Sequence, residues 1–114
     1  MIKGNTLEGT EQVIKGCVER SESRFDFWTE YVNASNIKKM AEIGVFKGDF
    51  ASQILSRCES LETYYMIDPW RNLEDWHKPA NVDDESFQEF LDETRRKTDF
   101  AREKRVILRK KQLR

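Results

Sequence analysis

Apolar residues recur at spacings of three and four through the first third of the chain: Leu7, Val13, Ile14, Cys17 and Val18, then Phe25, Phe27, Trp28, Tyr31 and Val32. That period predicts two amphipathic helices, over 8–20 and 24–34. Asn33-Ala-Ser-Asn36 breaks the pattern. The mixed run 37–43 ends at Gly44; too short for a helix and bounded by turn residues, it predicts a strand. From Gly48 the apolar positions Phe50, Ala51, Ile54, Leu55 and Cys58 form the stripe of a helix ending near Glu59. The run 61–67 is rich in aromatic and β-favouring residues and stops at Asp68-Pro69, which predicts a buried strand. A polar, Trp-containing loop follows over 70–82. Phe87, Phe90, Leu91, Thr94 and Thr98 then mark one face of a helix, with Asp83 placed as its N-cap and Val82 and Phe87 placed as a hydrophobic staple. Val106-Ile-Leu108, between basic residues, predicts a last short strand.

The resulting order is helix, helix, β, α, β, α, β. Strands that alternate with helices of this length pair in parallel through right-handed crossovers, so the expected fold class is α/β with a three-stranded parallel sheet. An N-terminal helical segment, 1–36, precedes the α/β part, 37–114, within a single domain. No internal repeat or low-complexity linker divides the chain.

At 114 residues the chain has room for one core, burying roughly two thirds of its unfolded surface. The hydrophobic fraction is 38% and the charged fraction 36%, against ~45–50% and ~25% in ordinary domains, so the core is thin relative to the surface. Net charge is −1, yet segment 95–114 holds ten Lys/Arg against Asp99 and Glu103, a local +8 that leaves −9 on residues 1–94. Those basic residues are interspersed with acids and carry no aromatic platform, so they read as a solvated helix face and strand flanks, and nucleic acid is not the expected partner. Cys17 and Cys58 lie on apolar helix faces, the position of buried structural thiols. Without a CxxC pair or a Cys/His cluster, and with His77 as the sole histidine, no metal site is expected. No apolar run reaches membrane-spanning length and the first residues lack the layout of a signal peptide, so the expected location is the cytoplasm.

The candidate chemistry lies in two short motifs. In Glu42-Ile-Gly-Val-Phe-Lys-Gly48, Gly44 stands where the strand must turn; lacking a Cβ, it permits positive φ and close approach of a ligand to the backbone. Gly48 opens a helix whose first free N–H groups favour an anion. Glu42 repels phosphate and suits an ammonium or hydroxyl group. In the second motif, Asp68 ends a strand where its carboxylate can accept from two vicinal ribose hydroxyls, and Pro69 fixes the chain direction after it. An amino-acid end near Glu42 and Gly44 with a ribose at Asp68 describes S-adenosylmethionine better than NAD, and the chain has no G-x-G-x-x-G.

Ala41-Glu-Ile-Gly-Val-Phe-Lys-Gly48, Tyr65-Met-Ile-Asp-Pro-Trp70 and Arg105-Val-Ile-Leu-Arg109 together resemble the first half of class I S-adenosylmethionine-dependent methyltransferases, most of all the small-molecule branch with E-I-G-x-x-x-G and I-D-P-W signatures. The resemblance spans about residues 37–111. It implies a Rossmann-like fold truncated to strands 3, 2 and 1, in the order 3-2-1, with flanking helices. It implies S-adenosyl-L-methionine as cofactor, a small-molecule methyl acceptor, and a cofactor site formed by Glu42, Gly44, Val45, Phe46, Lys47, Gly48, Asp68, Pro69 and Trp70. Two departures stand out. Phe46 occupies a position where the family more often has a further glycine, which predicts a stiffer loop. The second half of the family's sheet, with its substrate pocket and any catalytic base or metal ligands, is missing, so the chain alone is expected to turn over nothing.

Each residue also has a plainer reading. The glycine loop serves as a strand-to-helix turn in any α/β protein, and Asp68 as a strand-ending turn residue. Trp70 and Trp76 either stack on a ligand or cap a core edge, and lone His77 is expected to be exposed. Two other function classes remain. One is a non-enzymatic module that pairs through its open sheet edge with itself or a partner; the other is a dinucleotide-binding oxidoreductase fragment, disfavoured by the glycine pattern.

Overall fold

The computed structural model describes residues 7–109; the first six residues of the N-terminal segment and the last five of the basic end lie outside it. The elements are α1 (Leu7–Arg20), α2 (Arg24–Ala34), β1 (Lys39–Ile43), α3 (Asp49–Arg57), β2 (Thr63–Ile67), α4 (Asp84–Thr98), a single 3-10 turn (Asp99–Ala101) and β3 (Arg105–Leu108). The three strands form one parallel sheet in the order β1-β2-β3, with Met40 opposite Tyr64, Glu42 opposite Met66, and Met66 opposite Ile107.

Local chemistry sets the helix ends. Ser23 caps α2 by accepting from the Asp26 N–H at 3.2 Å. Asn36, at φ 51, closes the same helix: the Asn36 N–H bonds the Asn33 carbonyl at 3.2 Å and the Ile37 N–H bonds the Val32 carbonyl at 3.0 Å. This is the left-handed closure that Asn tolerates. It takes Ile37 into the helix end, so β1 begins at Lys39 rather than at residue 37. Asp83 caps α4 through the Ser86 N–H at 2.8 Å, and Val82 and Phe87 join the same apolar cluster, as the staple pattern requires.

Side chains of parallel partners share a face. Met40, Tyr64, Met66 and Ile107 point to the face covered by helices, where they pack with Ile54 and Leu55 of α3, Phe87 and Leu91 of α4, and Val32 of α2. Both strand-to-strand connections step the same way across the sheet, which places α3 and α4 on one side. The opposite face carries Ala41, Ile43, Tyr65, Ile67, Val106 and Leu108. Ile43 there is 68% exposed and Val106 37%, and no helix among the described residues covers it. β1 also leaves its outer edge unpaired among those residues.

α1 packs against α2. Of its apolar residues only Cys17 is fully buried, while Leu7, Ile14 and Val18 are exposed. Cys58 is buried as well, and both thiols are free. No helix among the described residues is long and apolar enough to cross a membrane.

Candidate functional site

β1 and β2 end side by side, and the sheet ladder runs past both: the Gly44 N–H bonds the Ile67 carbonyl at 2.9 Å and the Asp68 N–H bonds the Leu108 carbonyl at 3.1 Å. The carboxylate of Asp68, almost fully buried, then organises the turn after each strand. Its Oδ2 accepts the N–H of Val45 at 2.8 Å and of Phe46 at 3.1 Å, and its Oδ1 accepts the N–H of Trp70 at 2.8 Å.

Phe46 and Trp70 are both held at positive φ, 64° and 44°, a region that costs a side-chain-bearing residue about 1–2 kcal/mol. The surrounding bonds over-determine them. The Trp70 indole N–H donates to the Phe46 carbonyl at 2.8 Å, which also accepts from the Thr94 hydroxyl at 3.2 Å. The Phe46 ring meets Phe90 edge to face at 4.9 Å, and the Lys47 ammonium lies 5.0 Å from the Phe46 ring and 5.1 Å from that of Phe90. These contacts pack the Phe46 loop against α4.

The two glycines answer different demands. Gly44, at φ 85, has open space where a Cβ would stand. Gly48, at φ 87, has the Thr94 Cα only 2.9 Å from that position, so its missing side chain lets α3 and α4 approach closely.

An open cavity of about 930 Å³ lies over this end of the sheet, within the range of small-molecule sites. Of the nine residues expected from sequence, Gly44, Phe46, Asp68 and Pro69 line it. Glu42, Val45, Lys47, Gly48 and Trp70 do not: Val45 and Trp70 are core residues, and Glu42 sits on the helix-covered face. The Tyr64 hydroxyl donates to Glu42 Oε1 at 2.8 Å, and burial pushes the Glu42 carboxyl up to about 7. The first turn of α3 carries its own anion, Asp49, paired with Lys97 at 2.5 Å.

Arg71, Leu73, Glu74 and Asp75, which carried no expectation from sequence, and Phe87, expected only as a helix-face and staple residue, also line the cavity. Trp76, whose ligand role was left open, also lines the cavity and is half exposed, whereas His77 is exposed outside it. The loop that presents them is held by two asparagines. Asn72 donates its side-chain amide to the Val82 carbonyl at 2.8 Å, and Asn81 donates to the carbonyls of Leu73 at 2.8 Å and Trp76 at 2.6 Å. Asparagines near both ends of a polar loop were the available signal that it is ordered.

The site thus offers a bare backbone at Gly44, an acidic strand end, exposed aromatic rings at Phe46 and Trp76, and one guanidinium. Among the described residues no three His, Cys, Asp or Glu side chains are grouped so as to hold a metal ion. Comparison with protein-family models, with curated proteins and with solved structures finds no match to this chain.

Proposed function

We propose that this cavity binds the nucleoside part of S-adenosylmethionine, and that the chain is the cofactor-binding portion of a class I methyltransferase acting on a small molecule. The observation that carries the reading is the position of the cavity. It opens at the carboxyl ends of two adjacent parallel strands, with Gly44 bare beneath it and Asp68 at the neighbouring strand end, where α/β sheets bind nucleosides.

Phe46 and Trp76 supply ring faces for a purine. Asp68 Oδ1 has a single amide partner and takes one ribose hydroxyl without releasing the loop. Glu42, paired with Tyr64 on the covered face, acts in this reading as a structural carboxyl supporting the strand beneath the loop. In the complete enzyme the methyl group would pass in line to an acceptor atom, with rate gained chiefly from alignment. No residue of this chain is assigned a catalytic role.

The test is calorimetric titration of the chain and of Gly44→Ala with S-adenosylhomocysteine, with NAD as a control. A Cβ at Gly44 meets no protein atom within 4 Å and bears only the strain of its positive φ, about 1–2 kcal/mol, so the variant, once shown by circular dichroism to be folded, sets its methyl group against the ligand. Binding by the parent that weakens at least about tenfold in Gly44→Ala supports the reading. No binding by the folded parent removes it, and a preference for NAD transfers the site to a dinucleotide.

A second reading rests on a different observation. The unpaired β1 edge, with the exposed Ile43 on it, and the exposed Val106 of β3 on the same open face favour a non-enzymatic module that pairs strand to strand with a second copy of the chain. Association that depends on concentration, without nucleoside affinity, distinguishes it.

A further inference from the structure

Arg71 stands on backbone fixed on both sides. Before it, the Trp70 N–H is held by Asp68 and the Trp70 carbonyl accepts from Arg109 Nη2 at 3.4 Å. After it, the Asn72 N–H donates to Asp84 Oδ1 at 2.6 Å. The guanidinium itself is almost unused. Nη1 donates to the Asn72 carbonyl at 3.2 Å, and Nε is buried without a partner. Among the described residues no salt bridge involves Arg71, although Glu74 and Asp75 line the same cavity.

A guanidinium carries five N–H donors in a rigid fork that matches the two oxygens of a carboxylate or phosphate. Buried donors are ordinarily satisfied; Arg71 lines the cavity with Nη2 unpartnered among the described residues and Nε closed off without an acceptor, so the fork points to an acceptor brought by a ligand that the Nη groups meet first. The rest of the wall narrows the choice. Leu73, Trp76 and Phe87 offer apolar surface, and the other charged groups, Asp68, Glu74 and Asp75, are all acidic. Asp68 is occupied by three amides, but Glu74 and Asp75 still oppose a doubly charged phosphate more than a singly charged carboxylate.

We propose that Arg71 is the anion-recognition residue of this cavity, and that it holds the carboxylate of a small acid with an apolar body. In the methyltransferase reading that acid is the methyl acceptor, and only this last step rests on that reading. The recognition of the carboxylate stands on Arg71 and the cavity wall, independently of that reading.

The experiment follows the Arg71 Nε–H signal by nuclear magnetic resonance, assigned by its loss in Arg71→Gln, while the labelled chain is titrated at constant ionic strength with benzoate, benzamide or inorganic phosphate. The expected result is that benzoate moves the signal saturably and the neutral amide and phosphate leave it in place. Arg71→Gln, shown by circular dichroism to be folded, then binds benzoate at least about tenfold more weakly. Benzoate without effect on the signal, benzamide with an equal effect, or unchanged benzoate affinity in the variant overturns the proposal. Phosphate matching benzoate overturns the choice of carboxylate. A parallel titration with S-adenosylhomocysteine separates the two readings. If it moves the Arg71 signal and excludes benzoate, the carboxylate is the cofactor's own and the acceptor assignment falls. If it does not bind while benzoate does, the methyltransferase reading falls and the Arg71 assignment stands.

Discussion

The carboxylate of Asp68 holds the backbone N–H of Val45 at 2.8 Å, joining the turn after β2 to the turn after β1. The same carboxylate holds the N–H groups of Phe46 and Trp70, so one side chain fixes both loops at the mouth of the cavity. Asp68→Asn replaces one accepting oxygen with an NH2 group and sets donor against donor. At about 1–3 kcal/mol for each buried amide left unsatisfied, the variant should lose about 2–4 kcal/mol in urea unfolding. A loss below about 1 kcal/mol would show that the loops hold without the carboxylate.

Gly44 and Gly48 share a positive φ but not an environment. Gly44→Ala meets open space and bears only the backbone strain, about 1–2 kcal/mol. Gly48→Ala bears that strain and also drives its Cβ to 2.9 Å from the Thr94 Cα, a backbone atom that cannot swing aside. Overpacking of this kind adds about 1–3 kcal/mol. Denaturation should therefore rank Gly48→Ala as the more damaging by a clear margin; equal losses would mean that α3 and α4 separate freely.

The parts of the fold that were legible in the sequence are those encoded locally. Val82, Asp83 and Phe87 lie within six positions of the chain, and the start of α4 follows from them alone. Gly44 marked the turn after β1 because a strand running into glycine has few alternatives. Long-range demands were not visible. The reason for glycine at position 48 is Thr94 on another helix, and Trp70, an open candidate for stacking on a ligand, is buried and tied through its indole N–H to the Phe46 carbonyl. Arg71 gave no signal, since a guanidinium without an ion pair is recognisable only when its neighbours are known. In α1 the period identifies a face but not what covers it, and Ile14 and Val18 remain exposed.

Ile43 lies on the open face in β1, one of the two outer strands of the sheet, and is 68% exposed. A charge there costs the folded monomer little, within about 0.5 kcal/mol, but obstructs strand pairing. If β1 recruits a second copy, sedimentation of the parent should show mass increasing with concentration, and Ile43→Lys should sediment as a monomer with unchanged thermal stability. A parent that is monomeric at every concentration removes the interaction reading.

Glu42 gives the stability of the chain a pH dependence of defined sign. Burial raises its carboxyl from 4.5 to about 7, with the charge of Asp68 adding to the rise and the Tyr64 hydroxyl and the Arg24 guanidinium opposing it. The folded pKa exceeds the unfolded one, so the folded state binds the extra proton. The contribution is fully present below about 4.5 and is lost as pH rises through about 7. Such a displacement corresponds to about 3 kcal/mol for a fully buried group, and solvent at the β1 edge reduces it to about 1–2 kcal/mol. Glu42→Gln keeps a hydrogen-bond acceptor for Tyr64 and removes the buried charge. Urea unfolding of both proteins at pH 5 and pH 8 should show the variant more stable by about 1–2 kcal/mol at pH 8 and nearly equal to the parent at pH 5. Taking the difference between the two proteins cancels the carboxylates Asp26, Asp83 and Glu93, whose hydrogen bonds lower their pKa values and make stability fall toward acid instead. A gap between parent and variant that stays constant across this range would place the Glu42 carboxylate in water rather than beneath the loop.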